Sequence, residues 1–507
     1  MHVRVRSAVL CGIEGIPVDV EVDVHPGVGH FDIVGLPETT VRESRVRVLS
    51  ALRNLGFRAS SRWVTVNLAP ADVRKHGSLF DLPVALGVLA CLEAFPSGAL
   101  DGRLVIGEVS LDGRVRPIPG VLPMVAAARN QGLSEVVVPL ANAGEAAIVE
   151  GVRVLAADTL AGLIAFLGGT GALPEVRGER AFEPVRNTAD LADVRGQAHV
   201  KRALEIAAAG RHNLLMIGPP GSGKTMLARR LSSILPDLTY EESLETTTVH
   251  SVAGLLHRRS GLVTSRPFRA PHHTGSAAAI VGGGSRPRPG EVSLAHQGVL
   301  FLDELPDWRR EVLEVLRQPL EDRMVTITRA AGAVTYPSDF LLVAAMNPCP
   351  CGYLGDPRHR CTCAPPEVAR YRARVSGPLL DRIDLHVEVP AVPFRDLAAT
   401  TPTGEPSGAV RVRTVKAAEV QAKRLAGTGA LFNGRMDSRA VRRWCRVPPE
   451  ASRLLEAAMD RLGLSARALD RVLKVARTLA DLDGSESVAT VHVSEALSYR
   501  LLDRTAS

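Results

Sequence analysis

Lysine is scarce in this sequence. Six lysines stand among 61 basic residues, so the cationic surface is almost wholly arginine. A bias of that kind follows genome composition and carries no weight as a sign of nucleic acid. Cysteine is scarce too: seven in 507 residues, an odd and sparse set. That excludes a secreted disulfide scaffold and fits a reducing cytosol. Long hydrophobic runs are missing. The longest apolar stretch, Leu79 to Phe95, is interrupted by Asp81, Pro83 and Glu93, so it makes no clean membrane span. The N-terminus lacks a signal-peptide core. The expectation is a cytoplasmic protein with no membrane partner. One segment lacks a whole sign of charge. Between His250 and Gly290 there is no Asp or Glu, while Arg258, Arg259, Arg266, Arg269, Arg286 and Arg288 accumulate. Such a field is either a polyanion surface or a solvated loop.

What is present is ordinary globular composition, with 46% hydrophobic and 23% charged residues and a net charge of +7. The length suggests about three domains. Composition breaks place a first domain at 1–167, a linker at 168–189, a motif-dense segment at 190–390, a second linker at 391–410 and a helical region at 411–507. In the first domain, Val3–Val9 and Val18–Val24 alternate as strands, and Val136–Pro139 reads as a short buried strand. Thr40–Leu55, Leu82–Leu92 and Val121–Asn130 read as helices, giving a mixed α/β fold. In the last, Ser465 reads as a helix cap and Asp483-Gly484 as that helix's end.

The strongest motif runs Gly218-Pro219-Pro220-Gly221-Ser222-Gly223-Lys224-Thr225. It follows an apolar strand, Asn213–Ile217, and opens a helix, Met226–Ile234, which is the context a phosphate-binding loop requires. Backbone N–H groups would cradle phosphates, Lys224 would reach the β- and γ-phosphates, and the Thr225 hydroxyl would ligate Mg²⁺. About 80 residues on, Val299-Leu-Phe-Leu is followed by Asp303 and Glu304, a metal-holding carboxylate and a base for water. A further strand, Phe340–Met346, delivers Asn347, an amide able to orient that water or sense the γ-phosphate.

The pieces GPPGSGKT, VLFLDELPDW, LLVAAMNPCPCGY and GPLLDRIDLHVEVP occur in that order. They resemble the magnesium-chelatase-like branch of the AAA+ ATPases, and the whole chain resembles the YifB/ComM family. The resemblance implies a P-loop AAA+ module, a parallel sheet with flanking helices and a helical lid, preceded by a ribosomal-S5/Lon-like α/β domain. It implies ATP and Mg²⁺, with Lys224 and Thr225 as Walker A, Asp303 and Glu304 as Walker B, and Asn347 as sensor 1. Arg382 would be the finger reaching a neighbour's γ-phosphate, and Arg467 sensor 2 on the lid. A homo-oligomeric ring follows, a hexamer as in the family.

Two insertions bear on the work done. Residues 323–336 read as a hairpin with Val325, Ile327 and Val334 alternating about Ala331-Gly332. In the family such hairpins grip a nucleic-acid backbone, which would make Arg266, Arg269, Arg323 and Arg329 phosphate contacts on single-stranded or branched DNA; a ring-stabilising role is the alternative. Gly282-Gly283-Gly284 would let the basic insert move. His272 and His273, on an extended segment, would point opposite ways and make poor joint ligands. Four cysteines crowd at Cys349, Cys351, Cys361 and Cys363, as a candidate zinc site, as free thiols, or as disulfides.

The first domain, through Gly107–Gly120, resembles the Lon protease domain. Leu79 stands where that family carries its serine, with Ser78 one residue off, and Leu122 stands at the lysine position. Protease activity is therefore not expected. The leading functional expectation is an ATP-driven motor on DNA, a helicase or branch-migration factor in recombination or natural transformation. The alternative is a chelatase-like remodeller driving a partner protein without DNA.

Overall fold

The computed structural model describes residues 1–178, 189–256, 261–284, 287–329, 332–392 and 404–500. The chain forms two compact units. One comprises residues 1–183, 240–263 and 328–336; the other comprises 184–239, 264–327 and 337–507. Among the described residues, no helix is long and apolar enough to cross a membrane.

The first unit is built on an eight-stranded mixed sheet. Its long strands His2–Cys11 and Glu14–Pro26 pair antiparallel, Val3 opposite Val22 and Val5 opposite Val20. Period-two alternation decides their faces: Val18, Val20 and Val22 are fully buried, while the acidic residues between them turn outward. Each such valine stabilises the fold by roughly 1.5–3 kcal/mol. The helix Asp81–Cys91 is buried along its whole length, and Gly87 permits its close approach: a Cβ there would lie 2.5 Å from the Val22 side chain.

This unit departs from the expected boundaries in two places. Glu175–Val176 pairs with the strand Arg153–Ala157, so the sheet continues past residue 167. The helix Tyr240–Val252, expected within the ATPase segment, belongs here as well. Its Ser251 carbonyl accepts the Gly120 N–H at 2.9 Å, and its Ser251 hydroxyl bonds Glu145. Glu145 in turn accepts the Leu122 N–H at 3.0 Å, capping the helix Val121–Asn130. At the protease-like positions Leu79 and Leu122 are both buried, Ser78 is bonded to Glu108, and the ammonium of Lys75 is bonded to the Pro70 carbonyl.

The second unit contains a five-stranded parallel sheet in the order Phe268–Arg269, Val299–Leu302, Leu341–Met346, Leu214–Ile217, Leu385–Glu388. Strands covered on both faces must be continuously apolar, and the three central ones are. Because the strands are parallel, the residues that follow them share one edge, where such folds bind ligands. The helices Ser407–Arg424, Ser438–Trp444, Pro449–Leu462, Ala466–Leu482 and Thr490–Ser498 complete the unit. They are not a separate body: Val472, Val475 and Leu479 join the same hydrophobic core as Leu214, Val343 and Leu385. Polar ties reinforce the join. His212 bonds Thr478 at 2.8 Å, and the buried Asp384 holds both His212 and Arg471. Ser465 caps the helix Ala466–Leu482 by accepting the Ala468 N–H.

Candidate nucleotide site

The phosphate loop joins the strand Leu214–Ile217 to the helix Lys224–Ile234. Gly221 and Gly223 adopt φ of +75° and +89°, which turns successive N–H groups toward the loop's interior. Lys224 is buried, and its ammonium donates to the Gly218 and Pro219 carbonyls and, at 3.1 Å, to Asn347 Oδ1. Burial holds its pKa below the usual lysine range. The Ser222 hydroxyl is buried within the loop, with no hydrogen-bond partner among the described residues. An orphaned donor, a desolvated ammonium and a ring of amides form a donor set that fits a polyphosphate.

Asp303 and Glu304 leave the end of the strand Val299–Leu302. The Thr225 hydroxyl donates to Asp303 Oδ2 at 2.7 Å, so the two groups expected to share Mg²⁺ already meet. Trp308 fixes this turn by donating its indole N–H to the Asp303 carbonyl at 2.9 Å. Glu304 takes a left-handed φ of +51°, which swings its half-exposed side chain away from the strand. There it pairs with His273 at 3.0 Å. The sequence reading missed this contact. It placed His272 and His273 pointing opposite ways on an extended segment, but a turn intervenes, with the Gly275 N–H bonded to the His272 carbonyl. The two ring centroids lie 4.3 Å apart, tilted at 31° to each other.

Arg382 and Arg467 stand elsewhere. The Arg382 side chain is largely buried, pairing with Glu321 at 2.5 Å and donating to the Pro378 carbonyl. Arg382 first, then Arg467 and Arg471, hold the Glu321 carboxyl below its usual range. The two arginines therefore share one acidic neighbour. Among the described residues, no hydrogen bond or ion pair joins either to the phosphate loop.

Four thiols converge just beyond Asn347. Cys349 and Cys351 lie 3.4 Å apart, and Cys361 lies 3.7 and 3.6 Å from them. With Cys363 the four sulfurs fall within 4.8 Å of one another. These separations exceed a disulfide bond and approach the edge of about 3.8 Å of a tetrahedral Zn–thiolate site. The N–H groups of Tyr353 and Thr362 push the Cys351 thiol down to about 5.

Of the four arginines expected on DNA, three are engaged by protein. Arg266 donates to the carbonyls of Pro236, Gln297 and Asp237. Arg269 forms a two-pronged pair with Glu291 at 2.7 and 2.8 Å. Arg323 is half-buried and donates to the Arg435 carbonyl at 3.1 Å. Arg329 is exposed near the end of the strand Met324–Arg329, which forms a two-stranded sheet with Gly332–Pro337. Arg258, Arg259, Arg286 and Ala331 lie outside the described residues, and Arg288 is exposed. Gly282 is packed rather than open: a Cβ there would meet the Arg288 carbonyl at 2.4 Å.

Comparison with known proteins agrees with this geometry. Residues 190–397 match the family described as magnesium chelatase, subunit ChlI, and residues 404–500 match its C-terminal region. Residues 20–142 match a further family described as subunit ChlI of Mg-chelatase. The chain is 44% identical over 505 residues to competence protein ComM of Haemophilus influenzae, covering 99% of this chain and 97% of that one. It is 44% identical over 502 residues to YifB of Escherichia coli, with the same coverage. A 143-residue stretch is 27% identical to Lon protease 2 of Bacillus subtilis, 26% of this chain and 25% of that one.

Proposed function

The chain belongs to the YifB/ComM family of magnesium-chelatase-like AAA+ proteins, and from that premise we propose that it is a ring-forming ATPase working on DNA. The observation carrying the ATPase half is the meeting of Lys224, Thr225, Asp303 and Asn347 along one sheet edge. Thr225 and Asp303 would hold Mg²⁺, which supplies charge neutralisation at the β- and γ-phosphate oxygens. Lys224 exchanges its carbonyl partners for phosphate oxygens. Glu304, released from His273, accepts the proton of the attacking water, while Asn347 orients that water. Arg382, offered to a neighbouring subunit, stabilises charge on the transferring phosphoryl group and makes hydrolysis depend on the ring. Cys349, Cys351, Cys361 and Cys363 would hold a structural Zn²⁺, each supplying one thiolate.

The DNA half rests on the relative named for competence, on the acid-free segment, and on exposed Arg329 and Arg288. The engagement of Arg266, Arg269 and Arg323 by protein groups favours the second reading, a remodeller of a partner protein. ATPase rate at rising salt, with and without single-stranded and forked DNA, separates the two. Stimulation that fades with salt and is absent in Glu304→Gln supports the motor on DNA. A rate indifferent to DNA, in a preparation that forms rings, rejects it.

A further inference from the structure

Beside the phosphate loop, within the second unit, lies a cavity of 480 Å³. The loop itself, with Gly221 and Gly223, forms one wall, and Val194, Gln197 and Met226 extend it. Thr225, Asp303 and Glu304 are not among its lining residues, so the cavity opens on the side of the loop away from the metal-binding carboxylates. A nucleotide whose phosphates occupy the loop and whose metal sits at Thr225 and Asp303 must send its ribose and base the other way. That direction is this cavity, and its volume suits a nucleoside.

The opposite wall comes from the segment framed by the four cysteines. Tyr353 and His359, both between Cys351 and Cys361, line the cavity with their rings 4.7 Å apart. The segment is set by local bonds: Asp356 accepts the N–H groups of Arg358 and His359, and Arg358 donates to the Val392 carbonyl at 2.7 Å. It also presses on the phosphate loop. At Gly352, φ +86°, a Cβ would meet Pro220 at 2.7 Å and would lie 3.9 Å from Asn347. Gly352 directly follows Cys351, so the geometry of the thiol cluster sets the distance between this segment and the loop.

We propose that the cysteine-framed segment is the base-side wall of the nucleotide pocket. Tyr353 and His359 grip the base, and closure of the thiolate site holds them in place. This deepens the ATPase reading and rests on it. Tyr353 is a binding residue; the cysteines are positioning residues acting through the segment's path.

The test compares affinity for ATP with affinity for inorganic tripolyphosphate, using the full chain by calorimetry. Tyr353→Ala should weaken ATP binding about tenfold and leave tripolyphosphate unchanged, since a base–aromatic stack is worth about 1–3 kcal/mol. Tyr353→Phe, which keeps the ring, should bind ATP as the parent does. Removal of metal by a chelator should reproduce the selective loss, and added Zn²⁺ should restore it. Equal losses for both ligands, or none for ATP, overturn the proposal. Selective loss in Tyr353→Ala with no response to metal overturns the link to the thiols. The ATPase reading fails separately: Lys224→Ala should abolish binding of both ligands, and its retention would refute that premise and not the wall.

Discussion

At the scale of single residues, the groups proposed to serve the phosphates are held by one another, and each tie predicts a phenotype. Glu304→Gln should lower kcat about 10²–10³-fold while nucleotide affinity persists, because only proton acceptance is lost; single-turnover hydrolysis beside a binding isotherm would measure both. His273 holds Glu304 through a 3.0 Å contact, so His273→Ala should raise the basal rate and blunt stimulation by any activator. A fall in basal rate would instead place His273 in the chemistry. A third residue governs stability. His386 is fully buried, its two ring nitrogens without a partner among the described residues, and burial, assisted by Arg500, pushes its pKa down to about 3. In the unfolded chain it protonates near pH 6.5. Between those values the unfolded state binds more protons, so stability is complete above pH 6.5 and falls as pH drops toward 3. The slope contributed is at most about 1.4 kcal/mol per pH unit. Thermal melts from pH 7 to 5 should show this loss, and His386→Leu should flatten it.

At the scale of elements, periodicity read well wherever one face is buried. The strands and helices around Val5, Val20 and Val125 fall where alternation places them, and the phosphate-loop helix begins at the motif's own Lys224. Contacts made by residues distant in sequence were not legible. Nothing in Arg266, Arg269 or Arg323 announces that carbonyls and Glu291 will occupy them. The turn that brings the His272 and His273 rings together was likewise hidden by a run that looks extended. The hairpin keeps one clear candidate for a phosphate contact. Arg329→Ala should reduce the salt dependence of DNA stimulation by about one counterion and leave the DNA-free rate alone; an unchanged slope would remove the hairpin from the DNA reading. For the cysteine element, metal analysis of the purified chain should find one zinc per polypeptide, and Cys349→Ser should lose it.

At the scale of the whole molecule, the proposed role of Arg382 across a subunit interface can be tested in mixtures. Its guanidinium is committed to Glu321 and makes no bond to its own phosphate loop. Arg382→Ala and Glu304→Gln should each be inactive alone, the former falling about 10³-fold. Mixed, they should regain part of the activity, because an intact finger then faces an intact Walker B site across some interfaces. No recovery in mixtures shown to co-assemble would argue that Arg382 works within its own chain. The division of the chain into two units carries a consequence for its birth. A ribosome delivers residues 1–183 first, yet the unit also takes in 240–263 and 328–336, and only when Ser251 arrives can its carbonyl accept the Gly120 N–H and its hydroxyl donate to Glu145. Until then the Gly120 N–H, at the start of the helix Val121–Asn130, lacks its Ser251 acceptor. In nascent chains released before about residue 336 this unit should therefore be more chaperone-bound and protease-sensitive than in those released after it.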